Sequence, residues 1–178
     1  MCMAIFQDIG KKISKNQCLK YAHINRDGFG FAYVDKGKLI IKKTTNFDQF
    51  YIQYTIAVNQ YGSKSPFIIH FRFGTSGLNN QDNCHPFLIN KDTCFIHNGV
   101  FSELSNNPVL SDTNIFNRTV LQPLFKHNIT APTDRLLTHD TYNKLVFLNS
   151  QQQHLIINEN LGLWDNGIWY SNRYFAFD

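Results

Sequence analysis

Residues 28–42 read GFGFAYVDKGKLIIK, and this stretch predicts a β-hairpin. Residues 28–34 and 39–42 are rich in apolar and aromatic groups, while DKGK at 35–38 has the composition of a tight turn. Working outward from the hairpin, similar short apolar runs predict further strands. They lie at the start of the chain, at 66–72, 93–96, 144–149 and 153–158, with one more pair expected within 164–177.

Three segments between these strands have helical character. Residues 47–61 place apolar groups at a helical period, with Asn46 as the predicted N-cap and Gln49 at the capping-box position. Residues 111–126 begin with Ser-Asp-Thr, an N-cap signal, and residues 11–20 have helical spacing with weak caps. With no linker and no internal repeat, we expect a single domain over 1–178, of α+β class with mostly antiparallel sheets.

Composition excludes several classes of protein. The 178 residues are 43% hydrophobic and 17% charged, too apolar for a disordered chain. No run approaches the roughly 20 apolar residues of a membrane span. The net charge of +4 comes from scattered lysines, which favours a solvated surface over nucleic-acid binding.

The cysteines point to a reducing environment. The four cysteines form no CxxC pair and show no zinc spacing. The N-terminus lacks the apolar core of a signal peptide. We therefore expect a cytoplasmic protein with free thiols.

Cys2 follows the initiator Met1, which aminopeptidases generally remove before a residue as small as cysteine. The chain would then begin with a thiol beside an α-amine, whose pKa of about 7.7–8.0 suits it to take the thiol proton. The alternative is an ordinary cysteine at the second position.

Arg72 stands at the end of the strand predicted over 66–72 and begins the run RFGTSG. An arginine at the end of a strand can direct its guanidinium fork into a cleft and bind a carboxylate. The simpler alternative is an ion pair on the surface. His70 and His85 could suggest a metal site, but no third ligand has a clear spacing, so structural histidines are favoured.

The strand predicted over 93–96 leads into His97-Asn98-Gly99. Asn-Gly is first a turn signal, and its functional alternative is an oxyanion hole built from the Asn98 amide and the Gly99 N–H. Likewise, Asp112 either belongs to the N-cap of the next helix or accepts a substrate ammonium group.

These motifs occur in one order: Met-Cys, DGFGFA, HxRxxTxG followed by N and HP, an apolar strand ending in HNG, and SDT opening a helix. The series resembles the class II glutamine amidotransferase domain of the N-terminal nucleophile hydrolase superfamily, over residues 2 to about 175. It is most similar to the short stand-alone members, whose tails carry a Trp-Tyr-Ser stretch like residues 169–171. The resemblance implies a four-layer αββα sandwich of two antiparallel sheets.

The resemblance also implies roles for the reacting groups. Cys2 matches the nucleophile and its freed amine the base, while Asn98 and Gly99 match the oxyanion hole. Gly99 would also touch the backbone groups of the substrate.

Three further residues match the positions that bind the substrate. Arg72 matches the clamp for the α-carboxylate of glutamine, and Asp112 matches the acceptor for its α-ammonium group. Thr75 would line the pocket. One departure is Ser76, where the longer enzymes often have His or Gly.

By resemblance, the expected activity is hydrolysis of the glutamine side-chain amide through a cysteine thioester. It yields glutamate, and ammonia for an acceptor on another protein subunit, with no metal or cofactor. The alternatives are a hydrolase of another γ-glutamyl or small amide, and a non-catalytic glutamine-binding regulatory module. A retained Met1 would block the amine base. Cys18, Cys84 and Cys94 have no role in the family pattern and are expected to be structural.

Overall fold

The computed structural model describes residues 2–126 and 142–172, and the ten strands of this part of the chain form two antiparallel sheets. The strands are β1 (Met3–Gln7), β2 (Gly28–Asp35), β3 (Lys38–Thr44), β4 (Phe67–Arg72), β5 (Phe87–Asn90), β6 (Thr93–Asn98), β7 (Lys144–Asn149), β8 (His154–Ile157), β9 (Leu163–Asp165) and β10 (Ile168–Tyr170). The helices are α1 (Lys15–Ile24), α2 (Phe47–Tyr61), α3 (Asp112–Phe116) and α4 (Gln122–Lys126), the last two joined by a π-helical turn at Asn117–Leu121.

The two sheets pack face to face between two layers of helices. The larger sheet has the order β3-β2-β4-β1-β10-β9, and the smaller has the order β5-β6-β7-β8. One apolar cluster fills the space between the sheets, a second lies between the larger sheet and α1 and α2, and a third lies between the smaller sheet and the helices after residue 111. This arrangement confirms the α+β prediction and the four-layer sandwich that the resemblance implied.

The predicted hairpin is the β2–β3 pair, and it is longer than the sequence pattern indicated. Phe29 pairs with Thr44 at one end and Asp35 with Lys38 at the other. At the turn, Lys36 and Gly37 have φ angles of 48° and 73°, the left-handed values that a type I′ hairpin turn requires.

Capping differs from the prediction at both early helices. At α2, Asn46 accepts a hydrogen bond from the Gln49 N–H as expected, but the Gln49 side chain bonds to the Thr44 hydroxyl, so only half of a capping box forms. At α1 the expectation of weak caps was wrong, because Ser14 and Gln17 form a complete capping box and the helix begins at Lys15.

The single helix predicted over 111–126 is divided into α3, the π-helical turn and α4. Pro123, near the start of α4, has no N–H to donate to the carbonyl of Thr119, so the regular helical hydrogen bond is missing there. The π-helical turn lies directly before α4, where this bond is lost.

Strand β5 was not predicted from the sequence. Its residues alternate, with Phe87 and Ile89 buried and Leu88 and Asn90 exposed, as in a strand that has one face in the core.

In the tail, β9 and β10 form the expected pair, and residues 173–177 of the predicted segment lie outside the described residues. Among the residues described, no helix has the length and apolar character that crossing a membrane demands.

Candidate active site

One cleft collects side chains from four separate parts of the chain. Cys2 precedes β1 and Arg72 ends β4, and these two strands are antiparallel neighbours with Met3 opposite Phe71. The turn after β6 and the start of α3 supply the other walls. Five of the six site residues predicted from the sequence line this cleft: Cys2, Arg72, Thr75, Gly99 and Asp112.

Cys2 is half-buried and lines this cleft. Its sulfur accepts a hydrogen bond from the Phe73 N–H at 3.3 Å, and the thiol lies 3.4 Å from the Phe73 carbonyl oxygen. Burial raises the pKa of the Cys2 thiol, and the Phe73 N–H and the positive charge of Arg72 only partly oppose this. The thiol therefore needs a base to become a nucleophile at neutral pH.

Arg72 is only 3% exposed, which excludes the surface ion pair considered as an alternative. Its Nη1 donates to Asn79 Oδ1 at 2.7 Å and its Nη2 to the Ser76 carbonyl at 2.8 Å. Within residues 2–126 and 142–172, no carboxylate forms a salt bridge with it. A buried guanidinium held by neutral groups has a charge that an anionic ligand would neutralise.

Asp112 is the first residue of α3, after the N-cap Ser111, and is 5% exposed. Its Oδ1 accepts hydrogen bonds from the Ser76 hydroxyl at 3.1 Å and the Thr113 N–H at 2.8 Å, and its Oδ2 accepts one from the Phe101 N–H at 2.8 Å. No lysine or arginine in the described part of the chain forms a salt bridge with it. The cleft thus holds a guanidinium and a carboxylate, and neither forms a salt bridge within the described residues.

Gly99 lines the cleft, whereas Asn98 lies beside it and is not part of the lining. The Asn98 side chain is 1% exposed and donates from Nδ2 to the Ser171 hydroxyl at 2.8 Å. Gly99 must be glycine, because a Cβ atom there would overlap the side-chain oxygen of Asn143. The predicted oxyanion pair is therefore brought to the edge of the cleft and held from behind by two residues that the sequence analysis did not identify.

His97 connects this turn to the helix that carries Asp112. Its Nε2 donates to Asn143 Oδ1 at 2.8 Å, and its Nδ1 lies within hydrogen-bond distance of the Thr113 hydroxyl, also at 2.8 Å. The orientation of the Asn143 amide follows from its Nδ2 donating to the Val100 carbonyl. The His97 ring thus holds two walls of the cleft together.

His70 and His85 were the candidates for a metal site. Their rings stack at 3.9 Å, His70 donates from Nε2 to the His97 carbonyl, and His85 accepts from the His97 N–H at Nδ1. Burial lowers the pKa of both, that of His70 to about 3. The described residues contain no cluster of three or more metal-ligating side chains.

The remaining thiols have no place in the lining of the cleft. Cys18, Cys84 and Cys94 are free and buried, and burial raises the pKa of each. Cys84 packs against β2 beside Arg72. Gly28 is paired with Arg72, and a Cβ on Gly28 would overlap the Cys84 sulfur.

Comparison with known protein families identifies the chain. A family model described as glutamine amidotransferases class-II matches residues 12–119, well over half of the sequence. The chain belongs to the class-II glutamine amidotransferases. The resemblance seen in the ordered motifs is thereby confirmed.

The matched range contains every site residue predicted for this class-II glutamine amidotransferase except Cys2, which precedes it. Among solved structures, the chain is similar to a glutamine aminotransferase class-II domain protein from Silicibacter pomeroyi. The identity is 14%, the TM-score is 0.46, and the match covers 84% of this chain and 73% of the other. A search of curated proteins finds no match.

Several residues that build the site of this amidotransferase were missed from the sequence. Ser76 holds the carboxylate of Asp112, Asn79 holds Arg72, and Ser171 holds the Asn98 amide. Ser76 was noted only as a departure from the longer enzymes, and Ser171 only as part of the tail stretch. The sequence offered one signal for these residues: each carries a hydroxyl or amide close to a motif residue. Such side chains are too common in this asparagine-rich chain for that signal to identify a supporting residue.

Proposed function

We propose that this class-II amidotransferase hydrolyses the side-chain amide of glutamine through a thioester on Cys2. One observation carries the proposal: the cleft holds a thiol together with a buried guanidinium and a buried carboxylate, neither of which forms a salt bridge in the part of the chain that the structure describes. An amino-acid zwitterion with a distal amide is complementary to that set of groups. Because Arg72 is positive and Asp112 is negative, the cleft favours such a zwitterion over an uncharged amide.

Recognition of the substrate follows from the two charged ends of the cleft. The Arg72 fork binds the α-carboxylate, and its existing hydrogen bonds to Ser76 and Asn79 orient it in advance. Asp112 accepts the α-ammonium group, and the donors that already hold it keep its oxygens in place. With both ends held, the side-chain amide extends toward Cys2.

The chemistry begins after Met1 is removed, when the α-amine of Cys2 takes the thiol proton. The thiolate attacks the amide carbon, and the Gly99 N–H and the Asn98 amide stabilise the negative oxygen. The protonated amine then gives its proton to the departing nitrogen, so that ammonia leaves and a γ-glutamyl thioester remains. Water hydrolyses this thioester, which gives glutamate and restores the thiol.

The test combines an intact mass with a glutaminase assay on the same sample. A preparation shown to lack Met1 should release glutamate from glutamine, and Cys2→Ala should abolish release. Cys18→Ala is the matched control, because that thiol is buried away from the cleft and its loss should leave turnover in place.

Three outcomes would contradict the proposal. Full retention of Met1 in an active enzyme would exclude the amine base. Hydrolysis of other γ-glutamyl amides with glutamine untouched would assign a different substrate. Tight binding of glutamine by calorimetry with no turnover after Met1 removal would indicate a regulatory module.

A further inference from the structure

Ser171 lies directly after β10 and reaches the turn that carries the predicted oxyanion hole, although 73 residues separate it from Asn98. Its side chain is buried, and its Oγ accepts two hydrogen bonds, from Asn98 Nδ2 at 2.8 Å and from the Ala4 N–H at 2.9 Å. The hydroxyl hydrogen is directed to the sulfur of Met3 at 3.9 Å. Both acceptor positions and the donor of this serine are thus used.

The contact fixes the direction of the Asn98 amide. An amide group is planar, so holding one N–H of Nδ2 on Ser171 also sets the direction of the other N–H. No other side-chain hydrogen bond to Asn98 is found among the described residues. Without Ser171, the amide would be free to rotate about its terminal torsion, which is broad.

The same short segment also holds the residue that carries the nucleophile. The Ser171 N–H donates to the Ala4 carbonyl at 2.9 Å, and Asn172 Nδ2 donates to the Cys2 carbonyl at 2.6 Å. Residues 171 and 172 therefore connect the strand after Cys2 to the turn at Asn98, which are the two places that must keep a fixed distance when an oxyanion forms.

We propose that Ser171 is a positioning residue of the amidotransferase reaction, acting through Asn98 to aim its free N–H at the oxyanion. This inference rests on the proposed glutaminase activity. It gives the segment after β10 a part in the reaction, through the contact of Ser171 with Asn98.

A second buried serine provides a matched control. Ser65 Oγ accepts a hydrogen bond from the Val34 N–H at 2.8 Å and donates to the Pro66 carbonyl at 2.9 Å. It is as buried as Ser171 and its hydroxyl joins β2 to the residue before β4, but neither of these hydrogen bonds is to a residue that lines the cleft. Ser65→Ala therefore removes a buried hydroxyl without disturbing Asn98.

The experiment measures kcat and KM for glutamine with Met1-free protein. Ser171→Ala should lower kcat by about tenfold or more with KM nearly unchanged, because loss of a whole oxyanion donor costs about 10²–10³-fold. Ser65→Ala should keep the wild-type kcat. In an Asn98→Ala background, Ser171→Ala should lower kcat by less than about twofold, because its effect passes through the amide already removed.

The results separate this inference from the proposed function. If the Met1-free wild type releases no glutamate, the glutaminase proposal fails. If the wild type is active and Ser171→Ala keeps its kcat, or lowers kcat equally with and without Asn98, the positioning role is excluded. Should Ser171→Ala fail to fold, Ser171→Cys provides the same comparison, because its sulfur is a weaker acceptor of nearly the same shape and should also lower kcat.

Discussion

The side-chain oxygen of Asn143 occupies the space that a side chain on Gly99 would need, and the same oxygen accepts the hydrogen bond from His97 Nε2 at 2.8 Å. Asn143 also donates to the Val100 carbonyl, so it holds the turn on both sides of the glycine. Asn143 can therefore make these hydrogen bonds beside the predicted oxyanion hole only because residue 99 has no Cβ.

Gly99→Ala should consequently lower kcat for glutamine by at least about 10²-fold, the cost of losing one oxyanion donor. Either Asn143 moves and His97 loses its acceptor, or the turn moves and the Gly99 N–H leaves its place. The control is Gly10→Ala, where φ is +79° and nothing lies within 4 Å of the new Cβ. That variant should lose about 1–2 kcal/mol of stability from left-handed backbone strain and keep its kcat. Equal kcat in the two variants would contradict the role of Asn143.

Arg72→Lys should raise KM for glutamine by about ten- to a hundredfold, the cost of losing hydrogen bonds to a charged group. Lysine keeps the charge but lacks the planar fork that donates to Asn79 and the Ser76 carbonyl, so the remaining ammonium is not oriented toward a carboxylate. Steady-state kinetics of Arg72→Lys beside the exposed control Arg26→Lys tests this. An unchanged KM in Arg72→Lys would show that the guanidinium does not bind the substrate.

Ser76→Ala should raise KM by about three- to tenfold and change kcat little, because one hydrogen bond is worth about 1 kcal/mol. The Ser76 hydroxyl donates to Asp112 Oδ1 and accepts from the Asp112 N–H, both at 3.1 Å, so its loss frees the carboxylate to turn from the α-ammonium. Ser105→Ala removes a hydroxyl that bonds only within a surface turn and serves as the control. A fall in kcat at constant KM would place Ser76 in the chemical step instead.

Local patterns predicted the parts of the fold that depend on neighbours in sequence. The β2–β3 hairpin followed from the apolar runs on both sides of DKGK, and α2 from its apolar period and the Asn46 cap. The division of the helix after residue 111 was not predicted, because whether Pro123 ends, bends or starts a helical segment depends on how the preceding turn packs.

The candidate site was predicted for a different reason. Arg72, Asn98 and Asp112 each had a simpler structural explanation alone, and their roles were implied by the resemblance of the ordered motifs to the class II glutamine amidotransferases. Their supports were not predictable, because contacts such as His97 to Asn143 join residues 46 apart in sequence. Nothing in the local sequence of either partner specifies which distant residue it meets.

The stacked histidines predict how stability depends on pH. Burial lowers the pKa of His70 to about 3 and holds that of His85 well below its ordinary value, so both are neutral in the folded protein. The unfolded chain binds these protons with a pKa of about 6.5. The free energy of unfolding is therefore highest above about pH 6.5 and falls as the pH drops below it, by about 1.4 kcal/mol per pH unit for each histidine that stays neutral in the folded protein. For His70 this loss continues down to about pH 3.

Urea unfolding at a series of pH values between 7 and 4.5 measures this slope directly. His70→Gln keeps a donor for the His97 carbonyl but removes the titrating ring, so it should lower the slope by about 1.4 kcal/mol per pH unit whatever its effect on absolute stability. His23→Gln changes an exposed histidine and should retain the wild-type slope. If both variants keep the wild-type slope, the protons taken up on unfolding belong to other groups, and the neutral histidine stack does not set the acid limit of the fold.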